Sequence, residues 1–122
     1  MADSTDMLDT IVENLRFMEA LRRGERMTIS DYINKAHGNA KNKGFWDKPR
    51  EFGTLIALIH SELSEALEAD RKGDKDNIAE ELADTCIRIF DLCGGYGIDL
   101  ESAIQAKMAV NEGRARLHGK QY

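Results

Sequence analysis

Proline occurs once in this chain of 122 residues, cysteine twice, and aromatic residues make up 7% of it. With a single proline, few points forbid helix, and the abundance of Ala, Leu, Glu and Lys favours helix over sheet. The two cysteines, Cys86 and Cys93, fall on one expected helix. At 1.5 Å rise per residue their Cα atoms stand about 10 Å apart, too far for a disulfide. They read as buried thiols in a reducing cytoplasm. No apolar run approaches the roughly 20 residues of a membrane span. The start, MADSTDML, lacks the basic and apolar regions of a secretory signal. Bulk positive charge is missing as well, since the net charge is −5. That argues against nucleic acid as a partner. An acidic protein that binds a nucleotide needs metal ions or a local cationic cluster.

What is present is one compact domain's worth of amphipathic helix, without repeats or low-complexity tracts. Met7, Leu8, Ile11, Leu15 and Met18 recur at helical spacing over residues 4–23, and Gly24 ends the segment. This helix carries no obvious chemistry and is expected to pack on its own core or on a second subunit. A second helix is expected over 30–42, with Ser30 as N-cap. In the loop that follows, Phe45 and Trp46 form a hydrophobic lid, or Trp46 stacks on a flat ligand. His37 has no partner by spacing. Pro49 suits the first turn of a third helix over 50–71. A fourth helix is expected from Asp76 to Cys93, then a flexible turn at Gly94, Gly95 and Gly97. Asp99 caps a fifth. The basic tail, RARLHGKQY, reads as a loose end or as a flap over an anionic ligand.

The chemistry gathers between Leu55 and Cys93. Glu62 and Glu65 stand three apart on the third helix, and Glu81 and Asp84 three apart on the fourth. Such residues are neighbours on a helix surface, and a short GDKD turn folds one segment against the other. Glu-rich helices are often no more than a solvated face. Two pairs at the borders of apolar stripes are more demanding, because a half-buried carboxylate such as Glu62 needs a compensating partner. Four converging acids without His or Cys suit a hard cation, Mg²⁺ or Mn²⁺, rather than zinc. Mg²⁺ commonly bridges carboxylates to substrate phosphates and can activate a water. On the fifth helix Lys107, Asn111 and Arg114 follow i, i+4, i+7 spacing; Lys107 and Arg114 either snorkel outward or pair with the acids, or they hold phosphate charge.

The sequences ELSE at 62–65 and ELAD at 81–84 resemble the ExxE…ExxD signature of the MazG-like nucleoside triphosphate pyrophosphohydrolases. These belong to the all-α pyrophosphohydrolase superfamily, with dimeric dUTPases and phosphoribosyl-ATP pyrophosphohydrolases. GFWD at 44–47, GIDLESAI at 97–104, and Lys107, Asn111 and Arg114 with the closing HGK are similar too. The resemblance implies an all-α bundle of four core helices over 28–122, an extra N-terminal helix over 1–27, and assembly as a homodimer or homotetramer. It implies Mg²⁺-dependent hydrolysis of a nucleoside triphosphate to monophosphate and pyrophosphate. Glu62, Glu65, Glu81 and Asp84 would be metal ligands, with Glu62 or Glu65 orienting the attacking water. Trp46, Lys107, Asn111 and Arg114 would contact the substrate. Ser61 stands where many members carry a further acid, which bears on the number of metal ions. The alternatives are a silent helical module that binds nucleotide or protein, and a related enzyme acting on phosphoribosyl-ATP.

Overall fold

A computed structural model describes residues 4–120, and the last two residues of the basic tail lie outside it. The described residues form five α-helices: α1 (Ser4–Arg22), α2 (Ile29–Asn42), α3 (Phe52–Arg71), α4 (Lys75–Tyr96) and α5 (Leu100–Glu112). A 3₁₀ turn, Arg116–Gly119, follows. No strand occurs among them.

The helix ends follow local chemistry, with three departures from expectation. Thr28, not Ser30, caps α2. Its hydroxyl accepts from the Asp31 amide at 3.0 Å, while the Asp31 carboxylate accepts from the Thr28 amide at 2.9 Å. This reciprocal box satisfies two amides that would otherwise be orphaned. Pro49 lies outside α3, which starts at Phe52 after Glu51. The Arg50 carbonyl just upstream accepts from the Tyr96 hydroxyl at 2.5 Å, which ties the incoming chain to α4. Gly94 and Gly95 form no turn. They are helical, and α4 continues to Tyr96 before Gly97 ends it in the left-handed conformation at φ 66°. Of these three, only Gly97 needs a glycine for its backbone. At Gly94 and Gly95 the missing side chain is what matters. A Cβ on Gly94 would stand 2.5 Å from His37 Cβ, and one on Gly95 would stand 2.5 Å from Trp46 Cζ2.

α4 is the central element, packed against both α3 and α2; α1 and α5 lean on α2. Ile33, Leu55, Leu92 and Cys93 form the buried centre, with Ile56, Ile59, Ile89, Phe90 and Trp46 packed around them. Asp91 is buried beside this core. One carboxylate oxygen accepts from Trp46 Nε1 at 2.8 Å and meets His37 Nδ1 at 2.9 Å, and the other faces Arg50 at 3.6 Å. A buried carboxylate is tolerable only with such partners. Asp91 therefore binds α2, the 43–51 loop and α4 into one unit. His37 has a partner after all, 54 residues away in sequence.

The single chain leaves much apolar surface open. On α1, Leu15 and Met18 are 63% and 65% exposed. The face that α1 turns to α2 is marked instead by Phe17, edge-on to Tyr32, and by Asn14. The accessible surface is 9309 Å². A compact monomer of 13.7 kDa would expose about 6,600 Å².

Candidate metal and phosphate site

Glu62 sits on α3 at the border of the buried stripe that contains Leu55 and Ile59, so its stem is half-buried and its carboxylate faces α4. Glu81 and Asp84 share the facing side of α4, three residues apart. Glu62, Glu81 and Asp84 each offer a carboxylate oxygen within 4.8 Å of the other two. Glu65 stands outside this trio and is exposed, yet close enough for its charge to act on Glu81. Arg88, one turn beyond Asp84, donates from Nε to Glu62 at 2.8 Å.

The trio is electrostatically strained. The Arg88 hydrogen bond holds Glu62 below the ordinary glutamate range, helped by the hydrogen bond shared with Glu81. Glu81 is pushed above that range, first by its hydrogen bond to Glu62, then by partial desolvation and by the charges of Glu62, Asp84 and Glu65. A proton taken up by the pair therefore goes to Glu81 rather than to Glu62. Oxygen donors alone, crowded and mutually repelling, fit a hard divalent cation.

Glu62, Asp84 and Arg88 open onto a cavity of about 480 Å³. Its other walls include Lys43, Arg50, Phe45 and Asn39. Lys43, Arg50 and Arg88 thus line the cavity onto which the acids open, the kind of lining that a polyphosphate would need in an acidic protein. Among the substrate residues named from the sequence, Trp46 is half-buried against Gly95 with its ring nitrogen bound to Asp91. Phe45, 58% exposed, lines the cavity in its place. Lys107 and Arg114 are exposed; they and Asn111 lie on or just past α5, away from the walls of this cavity. Asn111 keeps a buried side-chain oxygen with no hydrogen-bond partner among the described residues.

The profile of the phosphoribosyl-ATP pyrophosphohydrolase family matches residues 29–107. The chain belongs to this family. A dATP/dGTP diphosphohydrolase of Cyanophage S-2L is 36% identical over 66 residues, which is 54% of this chain and 59% of that protein. The chain therefore spans about three fifths of this curated relative. No solved structure matches significantly. The phosphoribosyl-ATP pyrophosphohydrolase region begins at the first residue of α2, so α1 stands wholly outside it, while all three clustered acids stand inside.

For a phosphoribosyl-ATP pyrophosphohydrolase relative the raised Glu81 carries a pH consequence. A group with a raised folded pKa contributes stability that is complete below its unfolded pKa and lost as pH rises through the folded one. Glu62, depressed, contributes above its unfolded value and loses that contribution as pH falls through its folded one. Metal-free protein is therefore expected to gain thermal stability as pH falls from 7 toward the upper glutamate range, and to lose it again in stronger acid. Melting curves in EDTA across pH check this, and Glu81→Gln should flatten the rise. Metal affinity should weaken over the same fall in pH, because protons compete for the ligands.

Residues missed from the sequence have a simple origin. Asp84, Arg88 and Asp91 form an i, i+4, i+7 stripe on α4, which helical spacing alone puts on one face. That Arg88 turns to Glu62 and Asp91 to His37 depends on how α3 and α2 pack on that stripe.

Proposed function

We propose that the chain hydrolyses nucleoside triphosphates, dNTPs or non-canonical NTPs in particular, to nucleoside monophosphate and pyrophosphate, using Mg²⁺ or Mn²⁺. The observation that carries this reading is the Glu62, Glu81 and Asp84 trio, of which Glu62 and Asp84 line a cavity that also holds Lys43, Arg50 and Arg88, within the stretch matched by a pyrophosphohydrolase family. The similarity to a dATP/dGTP diphosphohydrolase supports it.

Glu62, Glu81 and Asp84 would hold the divalent cation, with Glu65 beside the trio. When bound, the cation polarises phosphoryl oxygens and supplies positive charge beside the triphosphate. Arg88, Arg50 and Lys43 bind the remaining phosphate charge. Glu62 is engaged by Arg88, so Glu65 is the carboxylate left to orient a water and take its proton. The water oxygen attacks the α-phosphorus. The bond from that phosphorus to the α,β-bridging oxygen breaks, and pyrophosphate leaves with the electron pair.

The protein acts as a homodimer or homotetramer. An excess of about 2,700 Å² over a compact monomer's surface and the open stripe on α1 support self-association. Obligate interfaces bury areas of this size. A second copy is also the means by which Lys107, Asn111 and Arg114 would reach a set of clustered acids, completing a four-helix core. Sedimentation at micromolar concentration is expected to give no monomer, and Leu15→Glu with Met18→Glu to weaken the assembly.

The test of the activity is pyrophosphate release from a panel of canonical and modified NTPs and dNTPs, with Mg²⁺ and with EDTA. Metal-dependent release with monophosphate as co-product is expected. The family match favours adding phosphoribosyl-ATP to the panel as a second substrate. Nucleotide binding without turnover on any member would instead favour the silent module.

A further inference from the structure

Beside the acid cavity lies a second depression, a largely apolar groove of about 380 Å³ between α1, α2 and α4. Phe17, Tyr32 and Phe90 are among its walls. Ala36, Asn39 and Ile87 line both, so the two are neighbours across a shared wall. From the first to the second the lining changes from carboxylates and guanidinium groups to aromatic rings. A nucleotide has the same gradient, from polyphosphate to flat heteroaromatic base. The groove volume is within the range of small-ligand subsites, which are mostly apolar with a few placed polar groups.

The placed polar group is Asn39. Its orientation follows from a chain of hydrogen bonds that begins at a lysine. Lys35 Nζ lies 4.4 Å from the centre of the Phe17 ring and donates to Asn14 Oδ1. A lysine ammonium has no acceptor, so Asn14 must present its oxygen there. Asn14 then donates through Nδ2 to Asn39 Oδ1 at 3.3 Å. Asn39 is left with its amide nitrogen, a donor, for anything seated at the junction of cavity and groove.

We propose that the α1–α2–α4 groove is the nucleobase subsite, and that Asn14 sets base preference by locking Asn39 as a hydrogen-bond donor. This rests on the reading of the adjoining acids as a nucleotide phosphate site. It gives α1, which lies outside the matched family stretch, a role in specificity. Bases that present an acceptor to Asn39 are favoured over bases that present a donor there.

Asn14→Asp is the discriminating variant. A carboxylate only accepts, so it still receives Lys35 but now receives the Asn39 nitrogen as well. Asn39 must then turn its oxygen to the ligand. Asn14→Leu removes the lock and leaves Asn39 free to turn either way. The experiment measures kcat/KM for all eight common NTPs and dNTPs, and in parallel calorimetric binding with Ca²⁺ in place of Mg²⁺. Inorganic tripolyphosphate serves as a ligand without a base. Asn14→Asp is expected to change the ratio between the best and worst bases by at least about tenfold, and Asn14→Leu to bring the bases closer together. Tripolyphosphate affinity should stay within about twofold in both, because no described α1 residue lines the acid cavity. A purely structural role for α1 would lower all bases alike and would overturn the proposal. So would an unchanged base ranking accompanied by a shift in subunit dissociation, which would mean that a second copy fills the groove. Wild-type protein that binds bases selectively but releases no pyrophosphate would overturn the hydrolase reading and leave the subsite standing. Wild-type protein that binds tripolyphosphate and nucleotides equally would overturn the subsite alone.

Discussion

Glu62→Gln and Asp84→Asn are each expected to lower pyrophosphate release by at least about 10²-fold while the protein stays folded. Loss of one preorganised electrostatic group at a reacting centre commonly costs about 10²–10³ in rate. Loss of a mere supporting partner of a metal ligand costs roughly 10–100-fold in affinity or activity. A direct ligand should do at least as much. The fold should survive because Asp84 is exposed and the amide oxygen introduced by Glu62→Gln can still accept from Arg88. Metal-free stability should rise slightly in Asp84→Asn, since a negative charge that acts on Glu81 leaves the cluster, and fall in Glu62→Gln, which loses the charge that Arg88 stabilises. Glu65→Gln should separate the roles. It should reduce kcat but spare Mn²⁺ affinity, whereas Glu62→Gln and Asp84→Asn should weaken both. Pyrophosphate assays, Mn²⁺ titrations and melting curves on the same preparations test this. Wild-type turnover by a folded Glu62→Gln protein would sink the site assignment.

Asp91→Ala should be the most destabilising of the substitutions considered. It deletes a buried carboxylate that serves Trp46, His37 and Arg50. Breaking a buried, hydrogen-bonded charge pair typically costs about 3–5 kcal/mol. For a chain of this size that lowers Tm by roughly 10–20 °C. Asp91→Asn keeps one acceptor and should fall between. Gly95→Ala attacks the same unit from the other side, because its Cβ would displace the Trp46 ring. The two substitutions share a partner, so their effects should be clearly less than additive in a double-mutant cycle. Full additivity would show that Trp46 and Asp91 are not energetically linked. Arg50 also lines the acid cavity, so Asp91→Ala should raise KM for nucleotides in the fraction that remains folded.

The acid pairs were legible because they need only local geometry. Two residues three apart on a helix share a face whatever the rest of the chain does. A short turn then makes antiparallel neighbours of α3 and α4, and Glu62 meets Glu81 and Asp84. Even so, the equal standing of the four acids was not preserved. Glu65 falls outside the trio, because only one residue of the α3 pair points across the interface. The Asp99 cap and the end of α1 near Gly24 were also readable, as both depend on neighbours within a few residues.

The Gly94–Gly95 pair shows where local reading stops. Adjacent glycines signal a turn in isolation, yet here they lie in a helix that His37 and Trp46 approach closely. Trp46 was open to two readings, and its ring nitrogen is bound to an aspartate 45 residues away. The stripe of Met7, Ile11, Leu15 and Met18 predicted that α1 has an apolar face, but not that Phe17 and Asn14 would be the side turned to α2. By itself the sequence determined helical class, helix order, the acid pairs and the family, because each depends on residue type and short spacing. Only the tertiary structure decided which acids converge, which cation pairs with Glu62, and what Asp91 holds together. Those contacts depend on the rotation and register of one packed helix against another, which side-chain volume across the whole interface sets.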